Sequence, residues 1–319
     1  MPSQSSIRLN RIIPILAICI IISIGGCTGN LPTISQLSAR ALGAAASGAC
    51  TVCGSPVRPR NLYCPRCRRF IYRKPDHKAR SAALKEAWDP IRRCFRCWYT
   101  GIRLDETCPP SRRYLTFDHV IPGDNRRLVA CCRLINEMKS GLTWDEFFTL
   151  IAAFDIYKKT GVFPKKMVDL RHWARLVGPP APARATPGPE NGTAVVPCEI
   201  CGRPSFPGSD YCARHRRFLF GKYERRARLA AFKRAWRPKK NGFVCEYTGV
   251  VLGEDDPRSP WYVSIDHRNP GSKGDLAVCA RFINSLKSTL TAEQFGKVMD
   301  ALARMMDGEP FDETLIPDR

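Results

Sequence analysis

The chain has 319 residues, and its 51 Lys or Arg against 29 Asp or Glu give it a formal net charge of +22 at pH 7. This length allows about two domains of ~150 residues each. So large a positive excess indicates a polyanionic partner, most often nucleic acid, with a membrane surface as the other polyanion to consider. We expect no small-molecule substrate. No stretch after residue 27 has the long uncharged apolar run that a membrane-spanning helix needs.

Residues 1–27 combine two arginines, a short apolar run and a small-residue site that ends at Cys27. This order resembles a bacterial lipoprotein signal, and the alternative is an extension without function upstream of the true start. The first interpretation predicts export and a lipid anchor on Cys27, whereas the second predicts a cytoplasmic protein. Residues 28–47 are predicted to form a small-residue spacer.

The rest of the chain contains an internal duplication with an offset of 148 residues. Aligned without a gap, residues 50–147 and 198–295 are identical at 44 of 98 positions. The chain is therefore predicted to be a tandem repeat of one two-part unit. Residues 156–177 have no counterpart, and their apolar spacing predicts a helix that packs on the first unit. Residues 178–197 are rich in Pro, Ala and Gly and indicate an extended linker.

Each copy begins with two x2-spaced pairs of Cys or His. Two such pairs can present four ligands to one tetrahedral zinc ion, and disulfide pairing is the alternative. The exchange of Cys67 for His215 at the 148-residue offset favours zinc, because His cannot form half of a disulfide. Such small modules need the metal to fold, so we expect structural zinc. The predicted ligands are Cys50, Cys53, Cys64 and Cys67 in the first copy and Cys198, Cys201, Cys212 and His215 in the second.

A basic connector follows each zinc module. Residues 214–240 carry twelve Lys or Arg against one Glu, and their apolar spacing predicts a helix that ends at Pro238. A solvated charged face is the ordinary explanation of such a helix, but the scarcity of acidic residues favours contacts with phosphate. The predicted nucleic-acid contacts in this connector are Arg216, Arg217, Arg225, Arg226, Arg228, Lys233 and Arg234.

The third part of each copy has a C-x-YTG opening and then a short β-like run that ends in Asp-His, YLTFDH in one copy and YVSIDH in the other. A Pro-Gly loop, a strand with a Cys, and a helix with the pattern N-x-x-KS-x-LT follow. About 60 residues of each copy thereby resemble the HNH endonucleases, in particular members from phages and mobile elements. The resemblance implies a ββα-metal core in each copy.

The resemblance also implies a role for the residues that match the motif. Oxygen ligands would hold one divalent ion, Mg²⁺ or Mn²⁺, in each copy, and a neutral imidazole would take a proton from the attacking water. The implied general bases are His119 and His267, and the implied ligands of the divalent ion are Asp118, Asn136, Asp266 and Asn284.

Both copies depart from the pattern at the Asn that braces the loop of the general base. Arg127 and Asp275 stand at that position, and only Asp275 can accept a hydrogen bond, so we expect the second site to be the better one. Asn125 is a candidate substitute in the first copy. Lys139 and Lys287 are plausible phosphate contacts, although a solvated helix face explains them as well.

The sequence thus predicts an α+β fold of two tandem units, each with a zinc module, a basic helix and a ββα-metal core. The expected function is metal-dependent hydrolysis of DNA, with RNA left open. The alternatives are a nucleic-acid-binding protein with inactive cores and a secreted or lipid-anchored nuclease. Two sites on one chain could serve a monomer. The predicted segments after residue 47 are zinc module 48–72, connector 73–90, core 91–155, extra segment 156–177, linker 178–197, zinc module 198–218, connector 219–240, core 241–306 and tail 307–319.

Overall fold

The computed structural model of the chain describes residues 48–168, 170, 196–219 and 222–316. The possible signal segment, the spacer and nearly all of the linker therefore lie outside the described residues. Within the described ranges, no helix combines the length and the apolar character that crossing a membrane requires. The described residues all belong to one unit, Gly48–Arg319.

The first copy opens with two short strands and a helix. Cys50 and Cys53 lie between the two strands, and Cys64 and Cys67 lie at the start of the helix. A second helix, a short hairpin, a longer antiparallel pair and two further helices follow. Helix α4 begins with a capping box between Thr143 and Glu146 and ends at Gly161, whose φ of 71° favours glycine. The elements are β1 (Gly48–Ala49), β2 (Pro56–Val57), α1 (Pro65–Ile71), α2 (His77–Ala87), β3 (Trp88–Asp89), β4 (Cys94–Phe95), β5 (Leu115–His119), β6 (Leu128–Cys132), α3 (Arg133–Lys139) and α4 (Trp144–Thr160).

The second copy repeats these elements at the same offset of 148 residues, except that an isolated bridge between Pro197 and Pro204 replaces β1 and β2. Its last helix begins with the equivalent capping box, between Thr291 and Gln294. The elements are α5 (Ala213–Leu219), α6 (Arg225–Ala235), β7 (Trp236–Arg237), β8 (Gly242–Phe243), β9 (Val263–His267), β10 (Leu276–Ala280), α7 (Arg281–Lys287) and α8 (Ala292–Met306).

Burial on both faces explains why the second strand of each longer pair is apolar without alternation. All five residues of β6 are buried, and so are all five of β10. Strand β6 packs against α2 and α3, and β10 packs against α6 and α7, so both faces of each strand are covered. Helices together with small antiparallel strand pairs make up the described residues, which confirms the predicted α+β class.

The two copies pack directly against each other. Helix α4 contacts α8 and α3 contacts α7, and the rings of Phe154 and Phe295 meet edge to face at 5.5 Å. The guanidinium of Arg112 donates to the carbonyl of Thr289 at 2.9 Å across this interface. The duplication therefore produces one packed body rather than two separate ones.

The predicted extra helix at residues 156–177 differs from the structure. Residues 156–160 complete α4, and the chain then leaves the helix at Gly161 and makes a 3-10 turn over Lys165–Met167. Phe163 packs on Phe154 of the first copy at 5.5 Å and on Trp261 of the second copy at 5.9 Å. The described part of this segment thus lies against both copies; residues 169 and 171–177 are outside the described ranges.

Candidate functional site

Each zinc module brings its four predicted ligands together. The four ligand atoms of either set lie within 4.8 Å of one another, and three of the four side chains in each set are buried. Tetrahedral zinc with Zn–S bonds of ~2.3 Å places its sulfurs roughly 3.8 Å apart. The sulfurs of Cys53 and Cys64 are 3.6 Å apart, and those of Cys201 and Cys212 are 3.8 Å apart. Both groups can therefore hold a structural zinc ion, as predicted.

The pKa shifts of the ligands differ in direction: those of Cys64 and Cys67 are raised by burial, whereas those of Cys50 and His215 are lowered. Burial acts to raise the pKa of Cys50, but hydrogen bonds from the backbone at Cys53 and Cys64 outweigh it and lower the pKa to about 6. Burial, with the nearby charges of three arginines, lowers the pKa of His215 to about 4. A thiolate and a neutral imidazole are the forms that bind zinc. The Nδ1 atom of His215 lies 3.5 Å from the Cys198 sulfur, which places it among the thiols.

The predicted Asp-His dipeptide of the first copy ends strand β5, and a buried polar frame surrounds it. Asp118 is 4% exposed and accepts a hydrogen bond from the phenol of Tyr99. The ammonium of Lys139 lies 3.0 Å from one Asp118 oxygen and 3.3 Å from the other, and it donates to the carbonyl of His119 at 2.8 Å. Asn136 donates to the carbonyl of Phe117 at 3.1 Å.

The second copy builds the same frame at the end of β9. Lys287 lies 3.1 Å from an Asp266 oxygen and donates to the carbonyl of His267 at 2.9 Å. Tyr247 donates to Asp266, and Asn284 donates to the carbonyl of Ile265 at 3.2 Å. Each pair of partners in the first frame thus has a counterpart, so two copies that differ at more than half of their positions keep one arrangement around Asp-His.

Burial, together with the neighbouring aspartate, raises the pKa of Tyr99 well above its ordinary value, and the same causes raise the pKa of Tyr247. Each phenol therefore stays protonated and remains a hydrogen-bond donor. The sequence reasoning assigned no role to these tyrosines. The signal was available, because the C-x-YTG opening in which they lie is retained in both copies.

The structure corrects the prediction that Lys139 and Lys287 contact phosphate. Their relative exposures are 0% and 1%, and both ammonium groups point at the aspartates rather than at solvent. The physical reason is helical spacing: residues three apart lie on one face of a helix, so Lys139 faces the strand that Asn136 contacts.

The rims of the two sites differ. In the first copy the Nε2 atom of His119 lies 2.7 Å from the Asn125 side-chain oxygen, so the predicted substitute brace does contact the histidine. In the second copy the Nε2 atom of His267 lies 3.4 Å from a carboxylate oxygen of Glu224. The His267 side chain remains 47% exposed, so solvent reaches it while the aspartate lies behind it.

The predicted loop brace of the second copy holds its own loop. Asp275 accepts a hydrogen bond from the Asn269 amide at 2.8 Å, and its backbone carbonyl accepts from the Arg268 N–H at 2.9 Å. In the first copy Arg127 contributes its backbone carbonyl alone to the equivalent loop closure, at 3.3 Å from the Val120 nitrogen.

The Asp and Asn side chains are of the type that holds Mg²⁺ or Mn²⁺, but in both copies an ammonium already neutralises the carboxylate. In the described ranges, the two Cys-rich sets are the groups of three or more His, Cys, Asp or Glu side chains that converge closely enough to hold a metal ion. An ion at Asp118 or Asp266 would share its carboxylate with the buried Lys or displace that Lys from it.

Most of the basic side chains predicted to contact nucleic acid have partners elsewhere in the chain. Four of them lie near acidic residues outside the connector. A count of charges within residues 214–240 does not include these acids. Three of the four pairs are exposed on both sides, and because exposed ion pairs contribute only ~0–1 kcal/mol, phosphate can replace the acid in those three at little cost. The pairs are Arg217 with Asp255 at 3.9 Å, Arg225 with Asp210 at 3.1 Å, Lys233 with Glu199 at 2.8 Å and Arg234 with Glu246 at 3.5 Å.

The other three connector residues lie in different surroundings. Arg228 donates to the carbonyl of Tyr223 at 3.0 Å, the guanidinium of Arg216 lies over the ring of Phe206 at 4.6 Å, and Arg226 is exposed. The connector is therefore cationic at its surface, although less so than its sequence alone indicates.

Comparisons of the chain with protein-family models, with curated proteins and with solved structures found no match. The resemblance to HNH endonucleases accordingly depends on the motifs and on their placement in the fold.

Proposed function

We propose that the protein is an HNH-type endonuclease that hydrolyses phosphodiester bonds of DNA, with one site in each copy. The observation that carries this proposal is the duplicated frame around Asp-His. In each copy a buried Lys and an Asn hold the backbone on either side of the aspartate, and the His267 imidazole is left accessible to water.

Each part of the frame has a task in this reaction. His119 and His267 are the general bases that accept a proton from the attacking water. Lys139 and Lys287 orient those histidines by holding their carbonyls. Asp118 with Asn136, or Asp266 with Asn284, would hold a divalent ion, which supplies stabilisation of the charge on the phosphate when bound. The cationic connectors hold the phosphate backbone without reading its sequence.

A second candidate is a zinc-dependent nucleic-acid-binding protein that does not cleave. The ion pairs between the buried lysines and the aspartates favour it, since each carboxylate already has a permanent cation at 3.0–3.1 Å. In that case the frame would serve stability alone, and the basic surface would carry the function.

A plasmid assay separates the two candidates. Zinc-loaded full-length protein is incubated with supercoiled plasmid and Mg²⁺ or Mn²⁺, beside the double variant His119→Ala/His267→Ala and the control His77→Ala. His77 is exposed and lies outside the Asp-His motifs. We expect the double variant to lose roughly 10²–10⁴-fold in rate, the contribution of a general base, and the control to keep full activity.

An intact plasmid with wild-type protein that still shifts DNA in a gel would overturn the nuclease proposal and support the second candidate. Equal cleavage by wild type and the double variant would also overturn it, since the activity would then not come from these histidines.

A further inference from the structure

The first zinc module carries a cleft that the proposed nuclease sites do not use. It has a volume of about 720 Å³ and lies between the turn after β2 and helix α1. Its walls include Arg58, Arg68, Arg69, Tyr63 and Tyr72. Cationic and aromatic side chains thus line one concave surface, outside the four zinc ligands.

The charge of this module is one-sided. Residues 48–74 contain seven Lys or Arg and no Asp or Glu, whereas the equivalent residues 196–222 contain five Lys or Arg and two acids. Glu106, from the adjoining core, pairs with Arg66 and lies 3.9 Å from Arg69. Arg58 and Arg68 thus face a part of the module that has no acid of its own, which favours an anionic ligand.

Tyr72 is the aromatic element of the cleft. It is 48% exposed, and the guanidinium carbons of Arg68 and Arg73 lie 4.3 and 5.2 Å from the centre of its ring. Hydrogen bonds from Arg73 and Arg68 lower the pKa of the Tyr72 phenol below its ordinary value. The surroundings of the ring therefore favour negative charge, and the ring and the guanidinium planes both offer stacking surfaces.

The equivalent surface of the second module keeps part of this lining, with Arg216, Arg217 and Tyr211 at the positions of Arg68, Arg69 and Tyr63, but Phe220 stands at the position of Tyr72 and the arginine at position 58 is lost. Phe206 and Gly208 replace Arg58 and Arg60, and Asp210 replaces Leu62. Asp210 brings a carboxylate, which pairs with Arg225 at 3.1 Å. The arginine at position 58 therefore belongs to the first copy alone, although the zinc ligands belong to both.

We propose that this cleft binds unpaired nucleotides of a nucleic-acid strand, with a base stacked on Tyr72 and the adjoining phosphates on Arg58 and Arg68. Unpaired bases are required because duplex bases are already stacked on one another, whereas an exposed aromatic ring binds any free base face. The inference relies on the proposed function only for the class of ligand. It places a strand-binding site in the first zinc module, on a surface that the two proposed nuclease sites do not use.

The test measures binding apart from cleavage. The zinc-loaded full chain carries His119→Ala/His267→Ala, no Mg²⁺ or Mn²⁺ is added, and anisotropy follows a short labelled strand and its duplex. We expect Tyr72→Ala to raise the Kd for the strand about tenfold, the usual effect of losing one stacked base, and to leave the duplex Kd within about twofold. Arg58→Ala should weaken strand binding and reduce its salt slope by about one.

Matched controls are Ile91→Ala, which removes an exposed apolar side chain outside the connectors (90% exposed), and Arg92→Ala, which removes an exposed arginine with a side chain 67% exposed. Every variant must bind as much zinc as its parent. DNA and RNA strands of one sequence are compared, and the one that binds more tightly identifies the natural ligand.

Kd values for Tyr72→Ala equal to those of the Ile91→Ala control on both the strand and the duplex would overturn the proposal. Competition by polyglutamate as effective as that by an unlabelled strand would also overturn it, because the cleft would then select charge alone. If the wild-type protein does not cleave plasmid but Tyr72→Ala weakens strand binding, this inference stands and the nuclease proposal fails. If the protein cleaves plasmid but Tyr72→Ala does not change strand binding, only this inference fails.

Discussion

The two Asp-His sites are alike inside and different at their rims. Position 98 is a tryptophan whose ring lies 4.8 Å from Trp144 in the first copy, and its counterpart Glu246 pairs with Arg268 in the second. Aromatic packing in one copy thus stands where an ion pair stands in the other. A buried ionic frame resists change, because losing one partner leaves the other charge buried and unpaired, whereas the rims accept different side chains.

Substitutions in the zinc clusters should have the largest effect on folding. They also test whether the two modules are equivalent. Cys67→Ser should remove one of two zinc ions per chain and unfold the first module, since structural zinc supplies ~10 kcal/mol or more of folding free energy. Cys67→His should keep both ions, because His215 fills that position in the second module. Metal content per chain measures both outcomes. Two zinc ions in the Ser variant would show that Cys67 is not a ligand.

The buried frame gives the next effect. Lys139→Met and Lys287→Met should each lower the free energy of unfolding by ~3–5 kcal/mol, because each leaves a buried carboxylate without its cation. Urea unfolding measures the loss. The control Lys297→Met, at an exposed ion pair with a lysine side chain 59% exposed, should change it by less than ~0.5 kcal/mol. A large loss in one copy alone would break the similarity of the two interiors.

The rims should produce the smallest effect, and it depends on nuclease activity. In a His119→Ala background, Asp275→Ala should slow nicking by the second site about tenfold, since a hydrogen bond to a charged group contributes ~1.5 kcal/mol. Arg127→Ala in a His267→Ala background should change the first site little, because Arg127 acts through its backbone. Initial nicking rates measure both.

We also expect His267→Ala to cost more activity than His119→Ala, and equal losses would contradict this order.

Much of this arrangement follows from the sequence. The zinc ligands converge as their spacing predicts, and Asp118 and Asp266 lie in strand pairs with helices after them. Local sequence patterns could not show which charged side chains from distant segments form ion pairs with these residues. The ammonium of Lys139 meets Asp118 across 21 positions, and acids outside the basic connector approach its arginines. The helix predicted over residues 156–177 stops at Thr160, where α4 ends, because Gly161 takes the left-handed conformation that terminates a helix.

The interface between the copies has a consequence for how the paired sites respond to dilution. A homodimer falls apart when its concentration drops below its dissociation constant, but fused copies meet at an effective concentration that the connecting chain sets. Because α4 packs on α8 within one polypeptide, a single molecule already contains the pair. The protein should therefore present both sites together at any expression level, even as a few molecules per cell.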